Sequence, residues 1–354
     1  MTHLFDSLAI GSVEFSNRVW VSPMCQYMAN DGVVGSWHAA HLGAFATGGP
    51  GLIMVEATGV VPEGRISIGC PSIEDQVHAD AFKPMIDFAH QYGVKMGIQL
   101  AHAGRKASTM RPWDTKRMAE VEDGGWQSVS SSAMAFHGYP TPRELSVEEI
   151  AGLVQSFAEA ARRAVAVGFD VIEIHAAHGY LLHQFYSPIM NKREDCYGGS
   201  FANRIRFLLE VTAAVKAAIP AGVPLFVRIS ATDWVDGGWN LIDSVELAKE
   251  LKALGVDLID VSSGGATHDA VIDAKPGFQV PFATAIKVEA GIATAAVGLI
   301  TEAEQADHII ATGEADAVFL ARAMLRNPRW ALNASETLGV KIGWPLPLDR
   351  GRTK

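Results

Sequence analysis

The chain has 354 residues, 49% hydrophobic and 19% charged, with a formal net charge of -10. That apolar content excludes disorder, whose signature is low hydrophobicity with high charge, and the acidic balance argues against a nucleic-acid partner, which needs a positive footprint. The odd set of three scattered cysteines, Cys25, Cys70 and Cys196, makes no disulfide framework and points to a reducing compartment.

Met1 to Gly11 places Asp6 inside a short apolar stretch without a basic leading region, so no signal peptide is expected. No apolar run approaches the ~20 residues that span a bilayer, and the expectation is a soluble, cytoplasmic protein without a membrane partner. Leu8–Ile10 and Val13–Phe15 flank Gly11-Ser12 and read as a hairpin placed to plug the bottom of a barrel. Strand-like runs follow at Arg18–Val21, Leu52–Glu56, Val94–Leu100, Val171–His175, Leu225–Ile229, Leu258–Val261, Ile292–Val297 and Ala317–Leu320. Helical stretches alternate with them, as in βαβ units, and several runs are apolar almost throughout, as in strands covered on both faces. Ile150, Val154, Phe157 and Ala161 recur at helical spacing, as do Ile205, Leu208, Leu209 and Val215. Eight such strands close an α/β fold of the (β/α)8 TIM-barrel type, with residues 1–354 forming one domain. Two segments exceed a minimal barrel: a long top-face excursion after the third strand, Ala101 to Pro142, and the tail after Trp330. An open doubly wound sheet would need a glycine fingerprint after its first strand; Ser22-Pro23-Met24-Cys25-Gln26-Tyr27 stands there instead.

In a TIM barrel the site gathers at the C-terminal ends of the strands. Those ends carry Ser22 to Cys25, Glu56 to Thr58, Gln99 with His102, His175 to Tyr180, Arg228, Ser262 to Gly265, Gly298, and Ala321-Arg322. His175 and His178 admit three readings. They are core histidines bonded to backbone, or metal ligands joined by Glu173 or His183, or neutral N–H donors holding a carbonyl, phenolate or nitro oxygen. The third reading makes Tyr180 a proton donor, and no metal ligand is assigned. Arg228 ends an apolar strand and needs an anion, either a core carboxylate such as Glu173 or a charged cofactor ring or phosphate. Gly298 and Ala321-Arg322 fit the phosphate site after strands seven and eight. Cys25 reads as a small buried hydrophobe or as a thiol nucleophile with a histidine base.

Together these residues resemble the old yellow enzyme family of FMN-dependent ene reductases, most of all its thermophilic-like branch with the xenobiotic reductases. The likeness runs nearly end to end. Its blocks are Asn17 to Tyr27, Glu56-Ala57-Thr58 with Pro62-Glu63-Gly64-Arg65, Gln99 to Ala107, and above all His175 to Phe207. The resemblance implies FMN across the barrel mouth, with Ser22, Pro23, Met24, Cys25, Ala57 and Gln99 at the isoalloxazine ring. Arg228 would face the ring's N1–C2=O edge, and Gly298, Ala321 and Arg322 would hold the phosphate. Cys25 would tune the flavin, with Cys70 and Cys196 as bystanders. NADPH or NADH would deliver hydride and give way to an unsaturated carbonyl or nitro substrate in ping-pong order. His175 and His178 would hold the activating oxygen, Tyr180 would protonate Cα, and Tyr27 would line the pocket. Asp195, Tyr197, Gly198, Gly199 and Arg204 would shape the loop after the fourth strand. A homodimer or homotetramer is implied too, in which Arg350 enters a neighbour's active site, although Leu348 and Arg352 stand where aromatics are usual. Gly298-Leu299-Ile300 also lacks the tryptophan that some xenobiotic reductases place there. Iron–sulfur relatives are excluded because the cysteines are far apart in sequence. Two rivals remain: a thiol acyl-transfer enzyme built on Cys25 and a histidine, and a non-enzymatic flavin-binding protein.

Overall fold

Gly11, at φ +57°, makes the turn of the expected hairpin, and a side chain there would collide with the carbonyl of Gly222. The computed structural model describes residues 2–352 and pairs β1 (Leu8–Ile10) antiparallel with β2 (Val13–Phe15). The chain then runs through β3 (Val19–Val21), β4 (Leu52–Gly59) and β5 (Lys95–Ala101). The excursion carries two short 3-10 turns and β6 (Val129–Ser130), and β7 (Arg143–Glu144) follows directly after it. It is followed by β8 (Val171–Ala176), β9 (Leu225–Ser230), β10 (Leu258–Ser262), β11 (Ala293–Ala296) and β12 (Ala317–Leu320). Strands β3, β4, β5 and β8 to β12 form a closed parallel barrel, sealed where Val318 of β12 stands opposite Val19 of β3. The expected TIM barrel, hairpin and excursion are all present.

Ten helices accompany the strands among the described residues: α1 (Ser36–Ala46), α2 (Gln76–Gln91), α3 (Val147–Val167), α4 (Leu181–Tyr186), α5 (Phe201–Ala218), α6 (Leu241–Ala253), α7 (Val280–Ala290), α8 (Ala303–Ala311), α9 (Arg322–Arg326) and α10 (Trp330–Thr337). Local chemistry fixes their ends. In α3 the Glu149 amide donates to Ser146 Oγ at 3.2 Å while the Glu149 carboxylate accepts from the Ser146 amide at 2.8 Å, a reciprocal cap. Gly168, at φ +112°, closes that helix. Its Ile150, Val154, Phe157 and Ala161 are buried in the core outside the barrel wall. No helix of the described residues is long and apolar enough to cross a membrane.

Period-two alternation divides each strand between that outer core and the barrel interior. The lower interior is apolar. Trp20, Leu52, Met54, Val171, Phe226, Leu258 and Phe319 cluster there with the hairpin's Ile10 and Phe15. Trp20 packs on Phe15, Phe319 and Phe226 at centroid distances of 4.9, 5.3 and 5.7 Å, and its Nε1 donates to the Asn17 carbonyl. The barrel is thus stoppered below and open above.

Candidate active site

One pleat above the apolar layer, the interior turns polar. Gln99 Nε2 donates to Glu173 Oε1 at 2.8 Å across β5 and β8. The carboxylate suggested for Arg228 was Glu173, but the ion pair is with Asp260, Nε to Oδ2 at 3.0 Å. Register explains the correction: Asp260 of β10 stands directly beside Arg228 of β9, whereas Glu173 of β8 is level with Phe226. Burial pushes Glu173 up to about 8, helped by Asp260 and opposed by Arg228; burial likewise lifts Asp260 to about 6 against the pull of Arg228. Arg228 donates no well-formed hydrogen bond, and Glu173 Oε2 and both Asp260 oxygens accept none among the described residues.

A further step up, the end of β8 delivers the histidines. His175 Nδ1 accepts the Ala177 amide at 3.2 Å, so the ring's proton sits on Nε2. His178 takes φ +59° and anchors its amide on Ser230 Oγ at 2.9 Å, and its Nε2 meets Ser262 Oγ at 2.7 Å. The two rings stand 5.2 Å apart and perpendicular, and Tyr180 stacks edge-on against His175 at 5.0 Å. Burial, reinforced by Arg228, pushes both imidazoles well below their usual range, so both are neutral. Burial also raises the Tyr180 phenol, which therefore keeps its proton. Among the described residues His175, His178, Glu173 and His183 do not gather into a ligand group: Glu173 is engaged by Gln99, and His183 lies 2.9 Å from Asp233 while accepting the Gly179 amide.

Across the mouth, the β4–β5 register slips between Val55 and Thr58, a bulge of the kind that re-aims side chains beside active sites. It brings Glu56 and Ala57 to the segment after β3. Glu56 accepts the Gln26 amide at 2.7 Å and lies 3.3 Å from His38 Nε2. Cys70, expected to be a bystander, is brought up to Cys25 by the fold. The sulfurs of Cys25 and Cys70 and a Glu56 oxygen all lie within 4.8 Å of one another, because the loop after β4 folds back over the segment after β3. No histidine bonds Cys25, so the thiol acyl-transfer arrangement lacks its base among the described residues. Tyr27, at φ +57°, joins Cys25 and Tyr180 around a patch of Ala57, Ile66, Cys70 and Ala101.

The excursion walls this mouth. Tyr27 and Tyr180 line a cavity of about 360 Å³ with Ile66, Arg111, Arg117 and Tyr139, a set that sequence reasoning did not single out beyond the two tyrosines. It also missed Lys106, whose Nζ donates to the carbonyls of His178 and Gly265 at 2.8 and 3.0 Å and stands 5.3 Å from the centre of the Tyr180 ring. Burial, with Arg105 and Arg117 nearby, lowers that ammonium to about 7. The His-Ala-Gly-Arg-Lys stretch held the signal, a lysine one turn after a strand end. On the far side of the mouth, Gly298, Ala321 and Arg322 line a cavity of about 270 Å³ between the ends of β11 and β12. The amides of Gly298, Leu299 and Ala321 find no protein acceptor among the described residues. Ser22 is buried, its amide on the Leu320 carbonyl, with Pro23 and Met24 half-buried beside it. Arg350 is exposed in a 3-10 turn, Leu346–Gly351, where Arg352 pairs with Asp349 and lies over Trp344.

Residues 3–340 match the model of the NADH:flavin oxidoreductase / NADH oxidase family. The chain is 47% identical over 353 residues to an NADPH dehydrogenase of Geobacillus thermodenitrificans, covering 99% of this chain and 98% of that one. It is also 47% identical over 350 residues to an NADPH dehydrogenase of Bacillus licheniformis, covering 98% of each. Among solved structures, morphinone reductase in complex with tetrahydroNAD superposes with a TM-score of 0.79 at 26% identity, over 98% of this chain and 93% of that one.

Proposed function

The chain belongs to the NADH:flavin oxidoreductase / NADH oxidase family, and from that premise we propose that it reduces activated C=C bonds of unsaturated carbonyl or nitro compounds. It is an oxidoreductase that uses FMN and a nicotinamide hydride donor, NADPH or NADH. The protein fits the cofactor on its own terms. Unclaimed loop amides and the unpaired Arg322 border the 270 Å³ cavity among the described residues, which suits a phosphate. Arg228 has hydrogen-bonding capacity to spare, which suits an electron-rich ring edge. Ser22, Pro23, Met24, Cys25, Ala57 and Gln99 would border the ring, and Gly298, Ala321 and Arg322 the phosphate. When bound, FMN supplies the hydride relay between nicotinamide and substrate; the protein contributes binding, orientation and electrostatics.

The observation that carries the reading is the neutral cluster of His175, His178 and Tyr180. His175 Nε2–H, its other nitrogen held by backbone, is free to donate to a substrate oxygen. His178, oriented by Ser262, adds a second donor, so negative charge develops where donors already point. Tyr180, kept protonated, delivers the proton to Cα. Tyr27 closes the pocket on the other side. Turnover of 2-cyclohexenone or N-phenylmaleimide with NADPH tests the proposal. In the family it resembles, phenols give a long-wavelength charge-transfer band with the flavin, and this band should vanish in His175→Ala and His178→Ala. Its survival in both variants would remove the oxygen-holding role, and a flavin-loaded protein that oxidises NADPH but reduces none of these substrates would refute the ene-reductase assignment.

A further inference from the structure

We propose that Cys25, Cys70 and Glu56 form a binding site for one thiophilic d10 metal ion, of which Zn²⁺ and Cd²⁺ are the type cases. The donor atoms of all three residues already lie within 4.8 Å of one another. Zinc binds sulfur at ~2.3 Å and carboxylate oxygen at ~2.0–2.2 Å, so two sulfurs on one tetrahedral ion stand roughly 3.8 Å apart. A small inward closure of a loop therefore completes the site. Two thiolates and one carboxylate leave the fourth position open, and Cys25, only half-buried, faces the side where Tyr27 and Tyr180 pack. The partial exposure of Cys25 gives the ion its way in.

The surrounding groups suit a ligand carboxylate. His38 Nδ1 accepts the Gly35 amide at 3.2 Å, which leaves the ring's proton on Nε2, 3.3 Å from Glu56 Oε1. The Gln26 amide holds Oε2. Such outer partners fix the orientation of first ligands, and each carboxylate oxygen keeps a second lone pair for the ion. Cys70 is wholly buried, its amide on the Ser67 carbonyl, so its sulfur is held in place by the turn. No lysine or arginine pairs with Glu56 among the described residues. The Cys70 thiol is raised by its contact with Cys25 and by burial, and Glu56 is raised by burial. Binding exchanges protons for metal. Two S–H bonds break and two metal–sulfur bonds form, Glu56 binds as its carboxylate, and every displaced proton leaves to water, with no change of oxidation state.

The test uses flavin-loaded protein carrying Cys196→Ser, which removes the exposed third thiol. Cd²⁺ is titrated under reducing conditions, following the ultraviolet thiolate-to-cadmium band, with cadmium per chain counted by elemental analysis after gel filtration. One ion per chain is expected. Cys25→Ser and Cys70→Ser should each weaken binding at least the roughly tenfold that even an outer partner is worth, and His38→Ala about 10–100-fold. Uptake unchanged in Cys70→Ser overturns the proposal. If that buried variant does not fold, Cys25→Ser decides alone, and unchanged uptake there overturns it equally. A Cys25–Cys70 disulfide that persists under reduction, with no cadmium bound, also overturns it. Metal uptake is read directly, so its failure is separate from any failure of ene reduction.

Discussion

Phe226, Arg228 and Ser230 are successive inward positions of one strand; Leu258, Asp260 and Ser262 repeat the sequence on the next, and Val171, Glu173 and His175 on the one before. The lower residue of each triple joins the apolar stopper around Trp20, and the upper two build the polar mouth. Backbone, register and pleat are the same in both halves, so residue type alone separates a half that holds the barrel together from one that does chemistry. The difference shows in hydrogen bonding. Among the described residues of the apolar cluster the polar side-chain group is the Trp20 indole N–H, and it is bonded. The upper half leaves Arg228 Nε, Asp260 Oδ1 and Oδ2 and Glu173 Oε2 unpartnered and buried among the described residues. Unpaired buried groups are costly, and their concentration on one side marks where the fold gives up stability for a ligand.

That contrast predicts that mutations separate by layer. The largest effect is expected from Tyr180→Phe, which should lower C=C reduction about 10²–10⁴-fold with little change in unfolding midpoint, since the phenol oxygen bonds no protein group among the described residues. Equal loss of stability and rate would erase the distinction between the halves. Next is Trp20→Ala in the stopper. Losing a fully buried indole should cost about 3–5 kcal/mol of stability, read by urea unfolding, while the rate per folded, flavin-loaded chain stays near wild type. His178→Ala should then reduce turnover about 10²–10³-fold, as expected for one removed oxyanion donor, again with a modest stability change measured in the same urea series.

Much of the lower half was legible in the sequence, because its information is local. Gly11 marks the turn, alternation marks the strands, and an eight-fold recurrence marks closure. The mouth was legible where a motif sits on one strand end, as with His175, His178 and Tyr180. It was illegible where partners come from different strands. The Arg228–Asp260 pair depends on the register of β9 against β10, and Gln99–Glu173 on that of β5 against β8. The approach of Cys70 to Cys25 depends on a bulge in β4 and a returning loop, neither of which has a compositional signature. Lys106 became interpretable only when its reach to the His178 carbonyl was known.

The smallest expected effect tests whether the polar layer is held together by a proton. Glu173 titrates near 4.5 unfolded and at about 8 folded. Between those values the native state binds a proton that the unfolded chain has released, so this group's stabilisation is complete below about 4.5 and declines as pH rises to about 8. Other groups act in the opposite sense. His175 and His178 are held neutral when folded and favour folding as pH rises toward 6.5; Lys106, lowered to about 7, does so above that value. The raw pH profile therefore mixes signs, and the Glu173 contribution is the difference between wild type and Glu173→Gln. The variant keeps a carbonyl to accept from Gln99 but carries no titrating proton. Urea midpoints from pH 6.5 to 8 should fall in wild type relative to the variant, by no more than the ~1.4 kcal/mol per pH unit that one proton allows. Parallel profiles would mean that Glu173 is ionised in the folded protein, paired electrostatically with Arg228, and that the upper layer is an ion network instead of a protonated one.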